Sequence, residues 1–194
     1  FNSWGESFLP YDKDAAVASL VLDHLGIERI PADLVLEGGS IAVNGEGTLV
    51  TTEQCLLDPS RNPGMNKESI ASELSSRLGL SEIVWLDRGL VEDGDTDGHV
   101  DNICAFIDPG KVLLQSAPER DPNFGNAQRN LQLLTDAGIE VVELDLLPRI
   151  ERDGEPIVVP YTNFYIANGA LIVPVSGADP DMDAQALELL GRLY

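Results

Sequence analysis

The sequence contains few of the residues that build disulfide frameworks, zinc sites and nucleic-acid interfaces. Its 194 residues include two cysteines, Cys55 and Cys104, and two histidines, too few for a disulfide framework or a clustered zinc site. Both cysteines lie in apolar, strand-like or strand-end surroundings, so we predict that they are buried and inert. We therefore predict neither a metal nor a cofactor.

Basic residues are also scarce, and so are long apolar runs. Twelve Lys and Arg stand against 33 Asp and Glu, giving a net charge of −21. This charge argues against nucleic acid and anionic membranes as partners. No apolar run reaches membrane-spanning length and no signal segment opens the chain, so a cytoplasmic location is predicted. The acidic excess itself leaves two explanations open, namely attraction of cationic ligands and a generally acidic or halophilic surface.

Hydrophobic periodicity and turn residues predict an alternating α/β chain. A β-hairpin, a helix and a strand recur in that order, and the hairpin turns at Gly45, Gly110 and Gly169 lie about 60 residues apart. Elements are predicted as follows: helix 12–25 capped by Asp12, strand 32–36, hairpin 41–52, helix 66–78 capped by Asn66, strand 82–86, hairpin 102–116, helix 124–137, strand 139–144, a Pro-rich crossing loop 148–160, hairpin 163–173 and helix 181–193.

This recurrence predicts ββαβ units that stack or close radially within one domain section. The expected units are 1–36 (partial), 37–97, 98–160 and 161–194 (partial). Because the first and last units lack strands that would cover sheet edges, the chain is expected to be an internal section of something longer.

Residues 93–102 carry the strongest candidate for chemistry, because they contain His99 and Asp101. A histidine beside a carboxylate forms a workable acid–base unit, since the carboxylate fixes the ring tautomer. If the two residues open a strand, their spacing points both side chains to one face. The alternative is a histidine in a polar loop with no chemical role.

A calcium site is a second interpretation of the same stretch. Asp93, Asp95, Asp97 and Gly98 resemble the opening of an EF-hand loop. The bidentate glutamate of such a loop would fall at Cys104, and no amphipathic helix precedes Asp93. Both observations exclude calcium binding of the EF-hand type.

Taken together, several segments resemble the agmatine deiminases of the guanidine-modifying superfamily. They span nearly the whole chain in order: 1–5 (FNSWG), 37–41 (EGGSI), 45–52 (GEGTLVTT), 62–63 (NP), 96–102 (TDGHVDN) and 163–169 (NFYIANG). The resemblance implies a pentein-type α/β propeller of ββαβ units, with about three of its five blades in this chain. It also implies hydrolysis of agmatine to N-carbamoylputrescine and ammonia, in putrescine biosynthesis, through a cysteine thiouronium intermediate.

The resemblance assigns roles to particular residues. His99 is implied as the general acid and base, and Asp101 and Glu37 as carboxylates of the same catalytic site. Trp4, Asp97 and Asn168 are implied as substrate-binding residues. A planar guanidinium suits this set, because carboxylates grip it through charge-assisted hydrogen bonds. Gly38 and Gly39 are expected to allow a close backbone approach beside Glu37.

Two family segments are expected outside this chain: one upstream of Phe1 with a further aspartate, and one downstream of Tyr194 with the nucleophilic cysteine. Neither Cys55 nor Cys104 stands in that context, so this chain alone is expected to be inactive. The alternatives are a bacterial-type peptidylarginine deiminase and a non-catalytic propeller fragment that binds a cationic amidine. A homo-oligomer, or completion by the missing segments, is also expected.

Overall fold

The computed structural model describes the backbone of residues 1–194 and the side chains of residues 1–154 and 157–194. The helices are α1 (Ser3–Glu6), α2 (Asp12–Leu25), α3 (Glu53–Leu56), α4 (Lys67–Leu78), α5 (Phe124–Asp136) and α6 (Pro180–Leu193). The strands are β1 (Ile41–Val43), β2 (Thr48–Thr52), β3 (Glu82–Leu86), β4 (Cys104–Asp108), β5 (Lys111–Gln115), β6 (Glu140–Leu144), β7 (Arg149–Arg152), β8 (Glu155–Val158), β9 (Tyr165–Ala167) and β10 (Ala170–Ile172).

Two consecutive stretches share the same ββαβ topology. Strands β1 and β2 form an antiparallel hairpin, and α4 then carries the chain back so that β3 pairs parallel to β2. Strands β4, β5 and β6 repeat this arrangement with α5 as the crossover. A parallel neighbour requires a crossover connection of this kind, whereas a hairpin needs only a turn. The third hairpin, β9–β10, is followed by α6. The predicted hairpin–helix–strand order is confirmed, and the unit limits remain a prediction.

The core fills the spaces between neighbouring sheets. Because side chains alternate along a strand, β5 contributes to two clusters. Its Val112 and Leu114 pack with Val50, Leu86 and other residues of the first sheet, whereas Leu113 faces the opposite way. That second cluster joins β6 to α6 and to the residues before β9. The apolar strands are therefore buried because neighbouring units pack against both faces of a sheet, and not against one face only.

Helix ends follow the predicted capping signals in part. Asn66 caps α4 through a capping box with Ser69, as predicted, and a left-handed Gly79 ends the helix. The predicted cap at Asp12 is wrong, because Tyr11 occupies the N-cap position and makes no side-chain capping bond. Asp12 lies inside the first turn, where its negative charge favours the helix N-terminus. No helix in the described part of the chain is long and apolar enough to cross a membrane.

Three other predictions of secondary structure are wrong. Residues 32–36 are not a strand, and the Asn62 side chain, instead of a neighbouring strand, bonds the N–H and C=O of Val35. The crossing loop 148–160 contains the hairpin β7–β8, whose turn at Asp153 and Gly154 has two positive φ angles. Helix α3 follows β2 directly and places Cys55 in a helical turn rather than at a strand end. The other predicted elements agree to within two residues.

Helix α5 supports the segment that leads from β3 toward His99. Three asparagines along one face of its first two turns bond this segment's backbone. Asn123 accepts from Val91 N–H at 2.7 Å, and Asn126 donates to the Gly89 carbonyl at 3.0 Å. Asn130 accepts from Asp87 N–H at 3.0 Å and donates to the Arg88 carbonyl at 2.7 Å. The helix thus satisfies a loop backbone that has no strand partner of its own.

Replacing Asn130 with alanine should destabilise the full-length protein by about 1–3 kcal/mol, because the partly buried Asp87 N–H and Arg88 C=O lose their partner. The matched control is Gln132→Ala on the exposed side of α5, which should change stability by less than about 0.5 kcal/mol. Urea unfolding monitored by circular dichroism measures both. Equal midpoints for the two variants would show that Asn130 does not support the loop.

Candidate active site

Two short turns meet at the entrances of β1 and β4 and form the candidate site. Gly38–Ser40 and Val100–Asn102 are 3-10 turns, with Glu37 and His99 at their N-cap positions. The prediction that His99 and Asp101 open a strand is wrong, because β4 begins only at Cys104. The turn nevertheless brings both side chains to one place. A Cβ added at Gly39 would clash with Asp101 Oδ2 and His99 Nδ1, so any larger residue would displace these two groups.

Glu37, not Asp101, is the hydrogen-bond partner of the His99 ring. Nε2 of His99 lies 3.2 Å from Oε2 of Glu37, a residue 62 positions earlier in the chain, and both side chains are buried. A carboxylate only accepts hydrogen bonds, so Nε2 carries the hydrogen and Nδ1 stays open toward Gly39 and Asp101. The predicted orienting role of Asp101 is therefore wrong, and it falls to Glu37.

Arg61, which the sequence analysis did not single out, lies at the centre of the candidate site. Its Nε lies 3.1 Å from both oxygens of Glu37, Nη1 lies 2.6 Å from Asp97 Oδ2, and Nη2 lies 2.9 Å from the Thr96 carbonyl. Its side chain is fully buried. Burial raises the pKa of the Glu37 carboxyl, but hydrogen bonding to His99 and the Arg61 charge outweigh it, so the pKa is lowered overall. Glu37 is thus kept ionised despite its burial.

Asp93 organises the loop that carries His99. Its carboxylate accepts hydrogen bonds from the N–H and hydroxyl of Thr96, from His99 N–H at 3.1 Å and from the Asn102 side chain at 3.1 Å. These internal donors occupy the Asp93 oxygens that a calcium loop would offer to the ion. Asp97 in this loop has a φ of 56°, and its carboxylate bonds Arg61.

Asp101 holds the unpartnered acceptor of the site. Its Oδ1 is buried and has no hydrogen-bond partner among the described side chains and backbone. Burial, opposed by His99 and reinforced by Asp93, raises the pKa of Asp101 to about 6, so the carboxylate is mostly ionised at neutral pH. A buried anionic oxygen without a donor is costly unless a ligand supplies one.

Trp4 lies in a turn next to the cluster of Glu37, Arg61, His99 and Asp101, whereas Asn168 lies away from this cluster. Trp4 belongs to the turn Ser3–Glu6, where a Cβ added at the neighbouring Gly5 would lie 3.7 Å from Nη1 of Arg61. This turn is therefore docked against the site. Asn168 is exposed in the turn between β9 and β10. Glu37 and His99 instead precede the first strands of their hairpins, so Asn168 lies at the other end of its hairpin. None of its described contacts reaches the cluster.

Neither cysteine of this chain has the properties of a nucleophile. Cys55 and Cys104 are both buried, and burial is the main cause that raises the pKa of each thiol to about 12. The prediction that both are buried is confirmed. A deprotonated, accessible thiolate is what nucleophilic attack requires.

Three neighbouring side chains of the site are of the types that bind metal ions. Ligand atoms of Glu37, Cys55 and His99 lie within 4.8 Å of one another. The Arg61 guanidinium already binds both Glu37 oxygens, and the Cys55 thiol would have to lose its proton in a buried position. A divalent ion would have to displace this cation, so the group does not fit a metal well.

Comparison with known proteins places this geometry in a family. A model of the Porphyromonas-type peptidyl-arginine deiminases matches residues 1–194. Agmatine deiminases of Medicago truncatula and Pseudomonas fluorescens are 39% and 38% identical to the chain; the match covers the whole chain and 59% and 60% of those proteins. The chain thus spans about three fifths of the length of the curated relatives it matches.

Solved structures agree with this assignment. An agmatine deiminase of C. jejuni with substrate bound superposes with a TM-score of 0.89 at 33% identity, covering 100% of this chain and 58% of that one. The agmatine deiminase of Enterococcus faecalis gives 0.87 at 31% identity, covering 100% and 60%. The pentein-type α/β architecture predicted from the sequence is confirmed. The chain belongs to the Porphyromonas-type peptidyl-arginine deiminase family.

Proposed function

We propose that this protein is an agmatine deiminase, a hydrolase that converts the guanidinium of agmatine to the ureido group of N-carbamoylputrescine and releases ammonia. One observation carries the proposal: the unpartnered Oδ1 of Asp101 lies in a carboxylate next to the open Nδ1 of His99, with both residues packed on Gly39. A cationic guanidinium N–H would satisfy this acceptor. Relatives bearing the name agmatine deiminase support the choice of substrate.

The reaction assigns a separate task to each side chain. A cysteine thiolate, which neither Cys55 nor Cys104 supplies, adds to the guanidinium carbon. Nδ1 of His99 has by then taken the thiol proton, so the ring is an imidazolium, and it passes this proton to the departing nitrogen, which leaves as ammonia. His99 then takes a proton from water, which adds to the thiouronium carbon and releases the thiolate. Asp101 binds the guanidinium nitrogens during both steps.

Glu37 has a different task from the one that the sequence resemblance implied. Both of its oxygens are bonded by Arg61, and Oε2 is also bonded by His99, so few lone pairs remain for a substrate. We infer that Glu37 stabilises the imidazolium and holds the ring, while Asp101 binds the substrate. Trp4 and Asp97 remain candidate substrate contacts because their segments adjoin Arg61.

A peptidyl-arginine deiminase is the second candidate, favoured by the description of the matching family model. Its chemistry at the guanidinium would be the same, and only contacts to the remainder of the substrate would differ. The cytoplasmic location, the homo-oligomer and the limits of the units stay predictions.

The first test measures ammonia release by the full-length protein from agmatine and from a peptidyl-arginine substrate. Agmatine should be preferred. His99→Ala should lower kcat by about 10²–10⁴-fold, because proton transfer to the leaving nitrogen is lost. His24→Ala is the matched control, since His24 is exposed on α2 and should leave turnover unchanged.

Preference for peptidyl-arginine would support the second candidate. Absence of turnover with either substrate, in a folded protein that still binds guanidinium, would favour the non-catalytic binding protein. Near-normal activity of His99→Ala would remove that residue from the mechanism.

A second test uses the two adjacent glycines. Gly39→Ala should lower kcat by about 10²-fold, because the added methyl group displaces the reacting groups of His99 and Asp101. Gly38→Ala is the control, since a Cβ at Gly38 would meet no atom within 4 Å and φ at that position is not in the left-handed region. Ammonia release and the thermal midpoint are compared for both variants. Equal turnover in the two would show that close packing on Gly39 is not required.

A further inference from the structure

We propose that Arg61 is a positioning residue for this reaction, acting on His99 through Glu37. The inference rests on the proposed function for its kinetic consequence, but its structural part concerns contacts that exist without substrate. Arg61 donates to both oxygens of Glu37, and one of these oxygens is the partner of His99 Nε2. The orientation of the histidine ring therefore depends on a guanidinium that does not itself reach the reacting atoms.

The shape of the arginine side chain is essential to this role. Nε faces Glu37, Nη1 faces Asp97 and Nη2 faces the Thr96 carbonyl, so three acceptors surround one planar group. Glu37 comes just before β1, while Thr96 and Asp97 come from the loop that ends at His99. A guanidinium presents its donors in a rigid fork, whereas a lysine ammonium is a compact point charge on a flexible stem. Arg61→Lys should therefore keep the charge and lose the simultaneous contacts.

The residues before and after Arg61 in the chain are themselves held in place. Asn2 donates to the Ser60 carbonyl at 2.8 Å, and a Cβ at Gly5 would clash with Ser60 Oγ. The N-terminal turn is thus packed on the residue before Arg61. Asn62, the residue after it, is fixed by bonds to Val35 and to the Leu56 carbonyl. Both neighbours are anchored, so the guanidinium has little freedom to follow Glu37 if that side chain rotates.

A purely stabilising ion pair is the alternative explanation, because a buried charge that loses its partner also destabilises the fold. The two explanations differ at His99. A positioning residue determines which ring nitrogen of His99 carries the hydrogen and lowers kcat with KM little changed when it is lost. A merely stabilising residue changes the unfolding midpoint and leaves the ring signals of the folded protein as they are.

The test compares Arg61→Lys and Arg61→Met with Arg77→Lys and Arg77→Met in the full-length protein. Arg77 is a matched control, since its Nε bonds the Glu73 carboxylate at 2.6 Å but lies at the surface of α4. Ring nitrogens of His99 are followed by 15N NMR, with a His24→Asn variant to assign the signals. Arg61→Lys should show a new fraction of Nδ1–H tautomer and about 10–100-fold lower kcat, while both Arg77 variants match the parent protein.

Unchanged His99 ring signals in folded Arg61→Lys would overturn the proposal, whatever the activity. If neither Arg61 variant folds, the parent protein decides: the Arg61 Nε–H should exchange slowly with water because it is bonded to Glu37, and rapid exchange would refute the positioning role. The experiment distinguishes failure of the positioning proposal from failure of the proposed function. Altered ring signals in a protein that releases no ammonia would support the positioning of His99 and reject the proposed function. Unaltered ring signals in a protein that releases ammonia would support the proposed function and reject the positioning of His99 by Arg61.

Discussion

The site depends on one buried carboxylate, Glu37, having a hydrogen-bond donor at each oxygen. An isolated carboxylate at this depth would be strongly unfavourable, and burial by itself raises its pKa. Arg61 on one side and His99 on the other reverse that effect and keep the group ionised. Because each partner comes from a different segment, satisfying Glu37 also determines how the residues before β1, the segment after α3 and the loop before β4 lie against one another.

The repeated topology explains why residues so far apart in sequence meet. Each hairpin is entered at the same end of its sheet, so the turns before β1 and β4 lie side by side. This end carries Glu37 and His99, whereas the hairpin turns, including Asn168, lie at the other end. The Asn102 side chain accepts a hydrogen bond from the Asn163 side chain at 3.1 Å. The segment before β9 therefore lies next to the turn before β4. The candidate site therefore lies where successive units begin.

Local signals in the sequence predicted most of the elements, and non-local contacts account for most of what was missed. Asn66 and Gly79 bound α4 through bonds within a few residues, and Asn44 bonds Glu46 and Thr48 across the first hairpin turn. Arg61 carries no such local signal, because its partners lie 24 and 36 positions away. Residues 32–36 look like a strand in sequence, yet whether they form one depends on a neighbour.

The resemblance to agmatine deiminases singled out three residues that lie together in the structure, but not which of their atoms would meet. It placed Glu37, His99 and Asp101 together, yet it did not distinguish the carboxylate that orients the ring from the one that is left to bind a ligand. The i, i+2 spacing of His99 and Asp101 favoured the wrong partner, since a 3-10 turn replaces the expected strand. Burial and hydrogen-bond satisfaction make the distinction: both oxygens of Glu37 have a donor, and Asp101 keeps an oxygen without one.

The protonated nitrogen of the neutral His99 ring is the most direct test of this account. Long-range 15N–1H correlation NMR on the unmodified protein distinguishes the two tautomers, and only two histidines contribute signals. The account predicts that the hydrogen resides on Nε2, bonded to Glu37, which leaves Nδ1 open toward Asp101. A ring that is mainly Nδ1–H would contradict it, because the orienting carboxylate would then lie on the wrong side of the histidine.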